Sequence, residues 1–172
     1  MRRCDEAIQT VSAEGFLDCF AALAMTESVA PLIAIKDTFM ASIHNDIPLP
    51  ASAHDVWDAV RDFGALHRRL VPGFVTACTL DGDARIVTFA NGSAAREVLV
   101  DCDDARRRLV YAINNERLKH YSASVQVIAE GETSCRLVWI IDMLPNELAP
   151  YVQGQTREAV AAMHKAFPPA AA

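Results

Sequence analysis

Three observations predict an α+β fold for this chain. Turn signals recur roughly every ten residues, apolar-rich segments of strand length lie between them, and a helical pattern takes over after Pro145. The turn signals are Asp81-Gly82-Asp83, Asn91-Gly92, the acidic corner Asp101 to Asp104, Asn114-Asn115 and Glu130-Gly131. The segments between them are 74–80, 84–90, 94–101, 107–113, 120–129 and 133–143. Sequential strands joined by short turns make an antiparallel meander, and no βαβ rhythm, GxGxxG or P-loop interrupts it.

Residues 1–39 stand apart from the rest of the chain. They mix small, apolar and acidic residues and show a weak helical pattern at Ile8, Val11, Phe16, Phe20 and Leu23. They read either as a docking helix or regulatory arm, or as an extension upstream of a domain start at Met40, and the composition break at Met40 favours the second. From Ser42 to Leu49 the alternation predicts a strand, ended by the Pro48 and Pro50 pair. Ser52 is a suitable N-cap for a helix burying Val56, Trp57 and Val60. Phe63 and Leu66 lead into a second short helix, stopped by Pro72-Gly73. After the meander, Leu148, Val152, Ala159, Val160 and Met163 fall at helical spacing from about Asn146 to Phe167, with Pro150 suited to the first turn. The domain therefore runs over 40–168, with 169–172 as a tail.

Composition bounds the function. The 172 residues are 52% hydrophobic and 22% charged, which excludes disorder and suits one domain with a full core. Sixteen Lys and Arg against 22 Asp and Glu give a net charge of −6, so no nucleic-acid partner is expected. The 5 cysteines, at 4, 19, 78, 102 and 135, include no C-x-x-C pair, and no metal-ligand spacing joins them to the histidines. They read as reduced core residues of a cytoplasmic protein. No apolar stretch is long enough to span a membrane, and no metal or cofactor is expected.

Period-two reading separates the two sheet faces. Tyr121, Ala123, Val125 and Val127 share one side, as do Leu137, Trp139, Ile141 and Met143, and Leu109, Tyr111 and Ile113. In 94–101, Arg96 falls in step with Val98 and Val100. One apolar face thus carries Arg96, Tyr111 and Tyr121 as polar handles. Either the long helix fills this face as a solid core, or an apolar pocket with few polar groups lies between sheet and helix.

Several motifs carry a resemblance. The Trp57-Asp58-Ala59-Val60-Arg61-Asp62-Phe63-Gly64 helix, the Pro72-Gly73 stop and the order of elements resemble the START-like, or SRPBCC, superfamily of polyketide cyclases/dehydrases and lipid-transport proteins. Gly92-Ser93, Arg96-Glu97-Val98 and Glu116-Arg117-Leu118-Lys119-His120-Tyr121-Ser122 look closest to the branch of plant abscisic-acid receptors and their bacterial relatives. The resemblance covers about Ala41 to Phe167. It implies the helix-grip fold, a seven-stranded antiparallel sheet wrapped around a long C-terminal helix and enclosing an apolar cavity. Arg117-Leu118 resembles the receptors' latch, with Glu116 in place of a histidine, and Tyr121, Val98 and Val100 match cavity walls. Asp101-Cys102-Asp103-Asp104 stands where the receptors carry their gate, and Phe74 to Thr79 lacks their hormone-pairing lysine. Hormone sensing is therefore not expected.

Two function classes remain foremost. One is binding or carriage of a hydrophobic small molecule such as a lipid, polyketide or isoprenoid. The other is a polyketide cyclase/dehydrase-like enzyme, a lyase acting on a bound carbonyl substrate, which requires an acid/base and a donor for a developing enolate. A protein-docking role with a filled core is a third. No nucleophile–base set is legible: His67 lies beside Arg68-Arg69, His120 alternates outward, Glu116 is in a loop and Ser93 in a turn. The expected ligand contacts are Arg96, Val98, Val100, Tyr111, Ile113, Arg117, Tyr121 and Ala123 on the meander. Leu137, Trp139 and Ile141 of the last strand, and Val152, Ala159, Val160 and Met163 of the helix, complete the set.

Overall fold

The first strand, β1 (Ala41–Leu49), alternates as expected, with Ile43, Ile47 and Leu49 buried. In this computed structural model the described residues are 39–169, so the expected N-terminal helix and the end of the tail lie outside them. Helix α1 (Ala53–Arg61) begins at Ser52, whose hydroxyl accepts the Asp55 amide N–H at 3.1 Å and donates to the Asp55 carboxylate at 2.7 Å. This cap starts the helix in the register that buries Val56, Trp57 and Val60. The Trp57 indole N–H then donates to Asp104 Oδ1 at 2.9 Å, tying α1 to a distant sheet turn. Helix α2 (Leu66–Arg69) is clamped to α1 by Arg69, which reaches the carboxylates of Asp58 at 2.6 Å and Asp62 at 3.1 Å.

The meander follows as β2 (Val75–Asp81), β3 (Ala84–Phe89), β4 (Ala94–Asp103), β5 (Arg108–Ile113), β6 (His120–Ala129) and β7 (Cys135–Leu144). A 3-10 turn (Asn146–Leu148) leads into helix α3 (Ala149–Ala166), with Pro150 in its first turn, where the missing N–H costs little. The strands form one seven-stranded sheet in the order β1-β7-β6-β5-β4-β3-β2, every ladder antiparallel. The protein is thus an α+β helix-grip fold. Helix α3 buries Thr156, Ala159, Ala162 and Met163 in the apolar core with Leu137, Ile141 and Met143 of β7. Each fully buried Leu or Ile there contributes about 1.5–3 kcal/mol relative to exposure.

Strand β4 departs from expectation. It extends past the acidic corner to Asp103, with a bulge between Leu99 and Asp101, so the corner is partly strand. Its faces are also reversed. Arg96 is exposed and paired with Asp81, and Val98 and Val100 share its outward side, Val100 being 61% exposed. Ala95, Glu97 and Leu99 point inward instead.

The cause lies in the preceding turn. Asn91-Gly92 taken as a two-residue turn with both residues at positive φ would pair Arg85 with Val98 and turn Val98 inward. Only Gly92 has positive φ, at 83°, and the Phe89 amide bonds the Ser93 carbonyl at 2.8 Å. The loop therefore holds Ala90, Asn91 and Gly92, and Arg85 pairs with Glu97. One additional loop residue exchanges the two faces of the strand.

A candidate ligand pocket

A pocket of about 820 Å³ opens at one end of the sheet, between the β3–β4 and β5–β6 turns and the start of α3. Phe89, Ala94 and Ala95 form one wall, and Leu148, Tyr151 and Val152 the opposite one. Ile113 and Tyr121 close the inner side. At the mouth stand Glu116 and Arg117, on a tip shaped by Asn115, whose side-chain oxygen accepts the Arg117 and Leu118 amide N–H groups at 2.9 and 3.0 Å. A similar cap shapes the other rim, where Asn91 Oδ1 accepts from the Ser93 amide at 2.9 Å and its hydroxyl at 2.6 Å. Arg117 is exposed and has no carboxylate partner among the described residues, leaving its guanidinium available at the mouth.

Of the expected contacts, the structure brings Ile113, Arg117, Tyr121 and Val152 to this pocket. Tyr111, Ala123, Leu137, Trp139, Ile141, Ala159 and Met163 are buried in the core behind it, and Val160 is half-buried beside that core. Arg96, Val98 and Val100 lie on the opposite face, because of the additional loop residue before β4. The segment aligned with the receptors' gate, Asp101 to Asp104, lies toward the end of β4 away from the pocket, whereas Ser93 after the β3–β4 turn is among the lining residues. His67 is not among the lining residues, and Cys102 is exposed rather than in the core. Among the described residues, no three His, Cys, Asp or Glu side chains converge as metal ligands.

The sequence reading missed a buried ion pair. Arg85 and Glu97 are 5% and 6% exposed, and the Arg85 Nε and Nη2 reach Glu97 Oε2 at 2.7 and 2.6 Å. Arg85 also donates to the Phe63 carbonyl at 3.1 Å and stacks 4.1 Å above the Phe63 ring. The available signal was an opposite-charge pair flanking a hairpin turn, legible only once the loop is counted as three residues.

Two phenols adjoin the pair. The Tyr111 and Tyr121 rings lie 6.4 Å apart, and the Arg85 guanidinium is 5.5 Å from the Tyr111 ring. Burial, then the Tyr121 phenol and the Glu97 carboxylate, push Tyr111 well above the ordinary phenol range, while Arg85 and Trp139 act the other way. Burial and Glu97 likewise raise Tyr121, opposed by the Tyr111 hydroxyl. Both phenols stay neutral donors at physiological pH.

An antiparallel sheet gripping a C-terminal helix, with a largely apolar pocket at one end, defines a START-like ligand-binding domain. The chain belongs to the family described as polyketide cyclase / dehydrase and lipid transport, which matches residues 40–167. Solved structures share the fold at low identity. An uncharacterized protein from Bacillus thuringiensis is 21% identical with TM-score 0.66, covering 74% of this chain and 98% of that one. A START superfamily protein from Mycobacterium smegmatis is 14% identical with TM-score 0.56, covering 73% and 92%. Norcoclaurine synthase from Thalictrum flavum, in complex with dopamine and hydroxybenzaldehyde, is 21% identical with TM-score 0.57, covering 83% and 92%. No curated protein matches the chain.

Proposed function

We propose that this chain binds a hydrophobic small molecule, of lipid, polyketide or isoprenoid type, and carries it in the pocket between sheet and helix. The observation that supports this is the pocket itself: about 820 Å³, with apolar walls that include Phe89, Ile113, Leu118, Leu148 and Val152 and polar side chains that include Ser93, Glu116, Arg117 and Gln155. Apolar burial would drive binding at about 25 cal/mol per Å² before the costs of association. Arg117 at the mouth would orient an acidic or carbonyl group left near solvent. In a reducing cytoplasm the thiols of Cys78, Cys102 and Cys135 would stay reduced. Among the described residues no helix is long and apolar enough to cross a membrane.

The cyclase/dehydrase-like reading would need a base beside the substrate. Of the lining groups, Tyr121 is held neutral and the Glu116 carboxylate is exposed at the rim, which favours carriage. Native mass spectrometry of the protein purified from its own host should show a co-purified apolar ligand. Titration with 1-anilinonaphthalene-8-sulfonate and 2-acetylnaphthalene should raise the unfolding temperature in a concentration-dependent way. A ligand-free spectrum together with an unfolding temperature unmoved by either probe would overturn the proposal.

A further inference from the structure

The sheet ends in β1 on one side and in β2 on the other, and the two edges differ. Strand β1 carries Pro48 and the ionisable His44 and Asp46, which discourage another strand from pairing with it. Strand β2 has no proline and no charge before Asp81 at its end. The turn after β2 fixes which backbone groups face outward. Gly82-Asp83 is a two-residue loop with Gly82 at φ 62°, so Asp81 and Ala84 form a hydrogen-bonded pair, and so do Thr79 and Ile86. Cys78 and Leu80 therefore point their N–H and C=O groups away from the sheet, and no hydrogen bond within the described residues reaches those groups. Apolar surface flanks this edge on both faces. Leu80, opposite Arg85, is 61% exposed, and Ile86, opposite Thr79, is 42% exposed. At its start the edge is closed by a bridge between Pro72 and Val75 and by the bulge between Val75 and Ala77.

We propose that β2 is a dimerisation strand, pairing antiparallel with β2 of a second copy of this chain about a twofold axis at Thr79. The stretch free for pairing is Ala77 to Asp81, and Thr79 is its midpoint. In that register Cys78 of each copy exchanges hydrogen bonds with Leu80 of the other, so the outward groups of both strands are satisfied together. Thr79 meets its own counterpart in the closer, non-hydrogen-bonded kind of pair, with Ile86 beside it in each copy. The charges fit as well. Asp81 falls opposite Ala77 of the second copy rather than another carboxylate, and Arg96 already holds it at 2.8 Å. Two chains of net charge −6 can then meet along a strip in which no pair opposes like charges. A second copy fits this edge because one short stretch supplies both strands of the ladder. The two pockets would open toward opposite ends of the joined sheet, and the pairing holds whatever they bind.

Sedimentation velocity of the full chain over a concentration series should show a monomer converting to a dimer. Thr79→Lys sets two ammonium groups directly opposite each other at the axis and should weaken the dimer by about tenfold. The side chain at 79 is exposed, so the unfolding temperature of the variant should stay within a few degrees of the unaltered protein. Thr79→Cys should give, under mild oxidation, a covalent dimer joined through position 79, because the Cα atoms of such a cross-strand pair lie within disulfide reach. Ser42→Cys, on the guarded edge, should not be joined through position 42. A chain that stays monomeric at every concentration would overturn the proposal, and that reading needs no variant. A dimer that Thr79→Lys leaves intact, or one that cross-links through position 42 as readily as through position 79, would overturn the assignment to this edge.

Discussion

Arg85 and Glu97 are the residues whose loss the fold should feel most sharply. Removing one partner of a buried ion pair strands the other charge in low dielectric, whereas replacing both removes the desolvation cost along with the attraction. Glu97→Ala should therefore destabilise the domain by about 3–5 kcal/mol, and Arg85→Met with Glu97→Leu by much less. Urea unfolding of the three proteins checks this, and a double variant as unstable as Glu97→Ala would contradict it. The buried phenols give the domain a pH limit. Tyr111 and Tyr121 keep their protons in the folded chain at pH values where an unfolded tyrosine, titrating near pH 10, has lost its own. The folded state then binds more protons than the unfolded one, so stability is intact below about pH 10 and falls as pH rises beyond it. Unfolding midpoints measured across the alkaline range, with phenolate absorbance followed in parallel, should show ionisation of these two tyrosines coinciding with unfolding.

Among the elements, the β3–β4 hairpin decides which residues meet a ligand. Its three-residue loop turns Ala95 toward the pocket and Val98 away from it. Ala95→Trp should therefore cut binding of 2-acetylnaphthalene by more than about tenfold, at a modest cost because the indole enters open space rather than packed core. Val98→Trp should change affinity by less than about twofold. Binding lost in Val98→Trp and kept in Ala95→Trp would mean the faces are the other way round. This strand also shows why periodicity failed. Ala95, Glu97 and Leu99 on one side are no more apolar than Arg96, Val98 and Val100 on the other, so polarity alone favoured the wrong side. In β6 and β7 one side carries no charged residue and is mostly apolar, and alternation there identified the buried residues correctly.

For the molecule as a whole, the match to the family begins at residue 40, where the composition of the chain also changes. A protein beginning at Met40 should unfold at a temperature within a few degrees of the full chain, since the described sheet, helices and pocket lining lie within 40–167. Differential scanning calorimetry of the two proteins is the measurement, and a large drop on truncation would show that residues 1–39 stabilise the domain.

By itself the sequence determined the element order, the antiparallel meander, the helix start at Ser52 and the inward faces of β5, β6 and β7. Each of these rests on information local to a few residues: a cap, a turn pair or an alternation with one clearly apolar side. It also marked Ile113, Tyr121, Arg117 and Val152, which line the pocket from β5, β6, the loop between them and α3. Only the tertiary structure decided the rest: the orientation of β4, the Arg85–Glu97 pair, and the division of the expected contacts between pocket wall and solid core. Those depend on how many residues a hairpin loop contains and on where a packed helix leaves space. Such quantities arise from the ladder and the packing of distant segments, and no short stretch of sequence encodes them.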